Sequence, residues 1–269
     1  MRRINSRDNA QYKALRRLAE SSRERKNAGL SLLDGPHLVA AYGAHVGVPE
    51  QLVLSASGLD KPEIMELVDR VGGSDLVVLS DALFKDISPV VSPTGVVAVV
   101  KTPRSRSLPG RLETCVMLED VRDPGNLGSI LRTAAAAGIK QVFLSASSVH
   151  AWSPRVLRAA MGAHFMLQVY EQVDLAAAID AFPGTPVAAS ATASRSLFDT
   201  DLSGPVALIF GNEGGGLSAA LRTKARVEVA IPMPGRTESL NVAAAVAVCL
   251  YERVRQIAGK RRESRPEPQ

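Results

Sequence analysis

Three short segments hold residues able to do chemistry, and each shares one arrangement: an apolar run, a polar or glycine-rich turn, then a helix-forming stretch. The first is "EDVRDPGNLGSILRTAAAAG", residues 119–138. Pro124 and Gly125 make a tight turn, Asn126 can cap the helix that follows, and Arg132 comes a little under two turns along it. Read alone, Asn126 is as readily a mere helix cap and Arg132 a surface charge. The second is "LIFGNEGGGLS", residues 208–218. Gly211, Gly214, Gly215 and Gly216 let backbone come close to a flat or charged ligand, with the Glu213 carboxylate in their midst. No Lys-Ser or Lys-Thr follows, and the spacing is not that of a dinucleotide fingerprint, so this is neither a P-loop nor a Rossmann turn. The third is "IPMPGRTESLNVAAAVAVCLYE", residues 231–252. It gathers Arg236, Thr237, Glu238, Ser239 and Asn241 behind a Pro-Gly turn, with Ser239 or a neighbour placed to cap an apolar helix from Leu240 to about Ala258.

The elements that must position these loops follow from periodicity. Residues 112–260 read as apolar strands alternating with helices, with strands expected near 114–121, 140–145, 165–169, 186–190, 206–210 and 226–231. Strands this apolar are covered on both faces, as in a mainly parallel sheet, and the loops at the carboxyl edge of such a sheet are where ligands bind. The stretch before it also alternates: a basic helix near 9–20, strands at "LSLLDG", "QLVLSAS", "DLVVLS" and "TGVVAVV", and helices at 36–46, 62–71 and 82–86. Between the two lies "KTPRSRSLPG", residues 101–110, with two prolines, basic charge and no apolar period. The expected organisation is therefore an N-terminal α/β domain over 1–105, a parallel-sheet domain over 106–260, and a disordered polar tail over 261–269.

The 269 residues are 46% hydrophobic, enough to fill such cores, and carry a net charge of +5. That charge is one-ended: residues 1–29 hold nine Lys or Arg against three acids, leaving the rest near neutral. One-ended basicity suits the backbone of a nucleic acid, and equally a solvated helix face with a few ion pairs. Cys115 and Cys249 stand alone in apolar surroundings, so neither a disulfide nor a metal site is expected. No apolar run approaches the roughly 20 residues that cross a bilayer, and none follows the basic start, so neither a membrane span nor a signal peptide is expected and a cytoplasmic location is.

In order, spacing and residue type the three segments resemble the signature motifs of the SpoU-type (TrmH-like) RNA ribose 2′-O-methyltransferases of the SPOUT superfamily. The resemblance covers roughly residues 112–255. Asn126 and Arg132 stand at the motif-one positions, Glu213 after Gly211 at motif two, Ser239 and Asn241 at motif three. It implies that these five form the catalytic group, and that Gly211, Asn212, Ile231, Met233 and Leu240 hold S-adenosylmethionine. It further implies an α/β fold whose parallel sheet is tied in a trefoil knot, a homodimer, no metal, and RNA as partner, ribosomal RNA ahead of transfer RNA. The N-terminal part, through "LLDGPHLVAAY" and "ALFKDISP", looks like the small RNA-binding domain many members carry. "SPRVLRAAMGAHF", residues 153–165, resembles the stretch between motifs, with Ala160 and Met161 departing from the usual small residues. In the family the motif-one arginine is proposed to act as base with help from a substrate phosphate. A guanidinium with a pKa above about 12 is a poor base, so a second role for Arg132, orienting phosphate while water takes the proton, stands beside it. A transfer RNA substrate, a base rather than a ribose as target, and a non-catalytic RNA-binding protein of the same fold remain as rival readings.

Overall fold

The computed structural model describes residues 1–88, 90, 92–103, 108–212 and 214–263, the last three without their side chains. Of the residues singled out above, Glu213, part of the linker and the end of the tail lie outside these described residues. The chain divides into two compact units, Met1–Arg104 with Trp152–Phe165, and Ser105–Ala151 with Met166–Gln269.

The first unit is a five-stranded sheet with helices. Along the chain run β1 (Arg2–Ile4), α1 (Ala10–Glu20), α2 (Ser22–Ala28), β2 (Leu30–Asp34), α3 (Pro36–His45), β3 (Gln51–Ser55), α4 (Pro62–Val71), β4 (Asp75–Leu79), α5 (Asp81–Ile87) and β5 (Val96–Lys101). The sheet order is β1-β4-β3-β5-β2, parallel from β1 to β3 and antiparallel across β5. α1 forms because Asn9 caps it, its side chain accepting from the Gln11 and Tyr12 amides, and because Tyr12, Leu15 and Leu18 recur on one face and are buried.

β1 and α2 were not anticipated, for a physical reason. Only Ile4 of β1 and only Arg25 of α2 are buried, so neither has an apolar pattern to read. Arg25 is 6% exposed and donates from Nη1 to the carbonyls of Leu18 (2.6 Å) and Ala19 (3.1 Å), closing the end of α1. One of the nine cations is thus spent inside the unit. Arg2, Arg7, Lys13 and Arg16 form surface ion pairs with Asp75, Asp86, Asp8 and Glu20.

A helix from much later in the sequence completes this unit. α7 (Pro154–Ala160) packs on β2 and buries Val156, Leu157 and Ala160. Phe165 meets Tyr42 edge to face, ring centres 5.4 Å apart.

The second unit is a six-stranded, wholly parallel sheet. It contains β6 (Cys115–Leu118), α6 (Pro124–Ala136), β7 (Gln141–Leu144), β8 (Gln168–Tyr170), α8 (Leu175–Asp180), β9 (Thr185–Ala189), β10 (Val206–Phe210), α9 (Ala219–Lys224), β11 (Val227–Val229) and α10 (Val242–Glu263). The order is β11-β9-β10-β6-β7-β8. β6, β7 and β10 are buried at every position, as strands covered on both faces must be. From β6 the chain steps outward to β7 and β8, then returns so that β10 lies against the other side of β6. That reversal makes the β6/β10 pair the switch point of the sheet, the place where ligands bind in open parallel sheets.

Two expected boundaries move. The strand expected at 165–169 is β8 at Gln168–Tyr170, because Ala163–Met166 winds into a 3-10 turn. The last helix starts at Val242 rather than Leu240 and continues to Glu263, into the stretch read as tail.

Candidate active site at the carboxyl edge of the second sheet

Register brings the first two loops side by side. Phe210 of β10 pairs with Leu118 of β6, and the Glu119 amide donates to the Phe210 carbonyl at 2.9 Å. The two strands therefore release their loops together, Glu119 and Asp120 from one, Gly211 and Asn212 from the other.

The glycine loop folds back on itself. The Asn212 amide donates to the Gly216 carbonyl (3.1 Å) and the Gly216 amide to the Asn212 carbonyl (2.9 Å), with Gly216 at φ +64°. Gly211 lies so close to the returning chain that a Cβ there would stand 2.1 Å from the carbonyl carbon and oxygen of Gly216. The Asn212 side chain is used within this turn: Oδ1 accepts from the amides of Gly214 (2.8 Å) and Gly215 (3.3 Å), and Nδ2 donates to the Asp120 carbonyl (2.8 Å). A Cβ on Gly215 or Gly235 would meet nothing within 4 Å. Ile231 and Met233 are half-buried and Leu240 is 38% exposed, apolar surface of the kind an adenine and a thioether require. Glycine backbone and apolar side chains of this kind suit the adenine ring of S-adenosylmethionine.

α6 presents the first motif, with one correction. Its cap is Asp123, whose Oδ1 accepts from the Asn126 amide at 2.7 Å, with Pro124 in the first helical position. Asn126 sits inside the first turn, and its side chain turns away from the helix end: its Oδ1 accepts from Nδ2 of Asn241 at 2.9 Å. Asn241 in turn, rather than Ser239, caps α10, its Oδ1 accepting from the amides of Ala243 (2.9 Å) and Ala244 (3.4 Å). The first and third motifs thus meet through two amides, each fixed by a helix N-terminus. Arg132 and Ser239 are exposed, and the side chain of neither makes a hydrogen bond or ion pair among the described residues.

Asp120 escaped the sequence reading. It adopts φ +55°, uncommon for a non-glycine residue, and Ser145 after β7 clasps it: Ser145 Oγ accepts from the Asp120 amide (2.8 Å) and donates to its carboxylate (2.7 Å). The only signal was the pair of acids closing an apolar strand in "VMLED". Among the described residues no three His, Cys, Asp or Glu gather in a way that could hold a metal. Burial pushes the thiols of Cys115 and Cys249 up to about 12, which keeps both out of nucleophilic chemistry at neutral pH.

Comparison with known proteins bears on this edge directly. Residues 113–251 match the SpoU rRNA Methylase family, a span running from just before β6 into α10 and holding all three motif loops. The chain belongs to the SpoU rRNA methylase family. It is 36% identical over 259 residues to a Synechocystis protein described as an uncharacterized tRNA/rRNA methyltransferase, covering 94% of this chain and 93% of that one. It is 31% identical over 254 residues to the 23S rRNA (guanosine(2553)-2′-O)-methyltransferase RlmP of Bacillus subtilis, covering 93% and 98%. Among solved SpoU structures, AviRb of Streptomyces viridochromogenes in complex with AdoMet superposes with a TM-score of 0.84 at 28% identity, over 96% of this chain and all of that one. The α/β fold with its parallel-sheet unit is that of SpoU methyltransferases.

Proposed function

We propose that this SpoU protein transfers a methyl group from S-adenosylmethionine to a ribose 2′-hydroxyl of ribosomal RNA. The observation that carries the reading is the contact between Asn126 and Asn241, which joins two motif loops beside the glycine loop of β10. The AdoMet-bound AviRb neighbour and the 2′-O-methyltransferase RlmP support the cofactor and the target atom. The bound cofactor supplies an electrophilic methyl with its own leaving group, so the protein's work is placement. Gly211, Asn212, Ile231, Met233 and Leu240 hold the cofactor, the glycine backbone on one side and apolar side chains on the other. Asn126, Glu213, Ser239 and Asn241 orient the ribose through hydrogen bonds. Arg132, exposed on α6 and without a partner among the described residues, grips the substrate phosphate. It either draws off the hydroxyl proton with the phosphate's help or stabilises charge while water takes it.

Three further features belong to the same reading. The segment after β10 threads a loop as a trefoil knot, an exception to the usual topology that the resemblance to the SPOUT superfamily implies. The protein is a homodimer through α10, where Ala244, Tyr251 and Ala258 are exposed at helical spacing and Tyr251 is 52% exposed. The first unit binds RNA, and the protein works in the cytoplasm; no helix of the described residues is long and apolar enough to cross a membrane.

The deciding experiment is transfer of labelled methyl to unmodified ribosomal and transfer RNA, followed by digestion to nucleosides, with Arg132→Ala alongside. The expected result is label in a 2′-O-methylnucleoside of ribosomal RNA, and a loss of at least about a hundredfold in the variant. Label in transfer RNA alone, or in a base, would replace the substrate or the target atom. No transfer to either RNA would leave the non-catalytic binder.

A further inference from the structure

The second loop is held at both of its ends by Glu119 and Asp120, consecutive residues that open the first segment and carry none of the catalytic or cofactor roles assigned above. Asp120 accepts from Asn212 Nδ2 through its backbone carbonyl at 2.8 Å, at the start of the loop. Glu119 accepts the Ser218 amide through Oε2 at 2.7 Å, where the loop ends and α9 begins. Ser218 is itself the cap of α9, its Oγ accepting from the Leu221 amide at 3.3 Å. Both acids are half-buried, and both depend on the backbone turning sharply after β6. That turn is the left-handed Asp120, clasped through amide and carboxylate by Ser145 of the next strand's loop.

We propose that Glu119 and Asp120 are positioning residues for the cofactor: together they bracket the glycine loop by fixing Asn212 and Ser218, its two ends, in the places binding requires. The inference rests on the placement of S-adenosylmethionine at this loop argued above. The bracket would also couple the first two motifs, since the turn that makes it leads within three residues to Asp123, the cap that presents Asn126. The two positions work differently. At Glu119 the needed group is a side-chain oxygen; at Asp120 it is a backbone carbonyl aimed by φ +55°, a conformation that glycine adopts freely and alanine does not.

The test measures S-adenosylmethionine affinity by calorimetry, kcat and KM for RNA, and thermal unfolding, in the full-length protein. Glu119→Ala and Asp120→Ala are expected to weaken cofactor binding at least about tenfold while KM for RNA stays within about twofold. Glu119→Gln, which keeps an acceptor oxygen, and Asp120→Gly, which keeps the turn, are expected to return affinity to within about threefold of the parent. Unchanged affinity in Glu119→Ala, or an equal loss in alanine and rescue variants, would overturn the bracket. A drop in melting temperature without loss of affinity would also overturn it, by reducing both residues to general scaffolding. If the unaltered protein neither binds S-adenosylmethionine nor transfers methyl, the functional reading fails instead, and the two failures are told apart.

Discussion

Asn241 performs two jobs with the two ends of one amide. Its oxygen caps α10 and its nitrogen reaches Asn126, so substitution can separate the jobs. Asn241→Asp keeps the capping oxygen and loses the donor. It is expected to unfold within a few tenths of a kcal/mol of the parent yet to transfer methyl more slowly. Asn241→Ala loses both, and is expected to cost a further ~1 kcal/mol of stability, read by urea unfolding beside the transfer assay. The identities of the motif residues were legible in the sequence; their division of labour was not. "DPGN" offers two capping acceptors, Asp123 and Asn126, and the choice falls on Asp123 because Pro124 suits the first helical position and has no amide to satisfy. The same ambiguity in "TESLN" hid Asn241 as the cap behind Ser239.

Loops and strands obey a coarser logic. A sequence shows that four glycines crowd residues 211–216, but not which of them the fold requires; the distances do. Gly211→Ala drives a Cβ to 2.1 Å from the Gly216 carbonyl, both sides being backbone, so the loop must open. The expected outcome is destabilisation of about 1–3 kcal/mol or more together with loss of S-adenosylmethionine binding. Gly215→Ala meets nothing within 4 Å and is expected to stay within about 0.5 kcal/mol, though any loss of affinity there would mark close approach of the cofactor. Calorimetry and thermal unfolding of the two variants check both. Strands were readable where every position is buried, as in β10, whose expected and observed limits agree at Val206 and Phe210. They were not readable where burial is nearly absent, as in β1. A helix such as α2, held by one inward-turned arginine, gives no period to detect.

For the whole molecule, charge and connectivity both differ from what composition suggests. The basic start is a weaker footprint for RNA than nine cations imply, since Arg25 is internal and four others are paired at the surface. The first unit, meanwhile, owns the single tryptophan: Trp152 is 4% exposed, its ring centre 5.0 Å from that of His164. Its fluorescence is therefore expected to follow unfolding of that unit, although half the chain precedes it. Leu157→Ala, which empties a buried site on α7, is expected to lower the stability read by that signal by about 2–5 kcal/mol. Composition could not have revealed this, because "SPRVLRAAMGAHF" reads as an ordinary helical stretch and only its three-dimensional neighbours assign it to β2.

That assignment crosses the order of synthesis with the order of folding. A growing chain makes β6, α6 and β7 before it makes the residues that complete the first unit, which must wait for Phe165. Domains that fold as they emerge can do so unit by unit only when each is a continuous stretch. Here a protein cut after residue 104 would be released without the helix that packs on β2, the outermost strand of its sheet, and with that edge available to other chains.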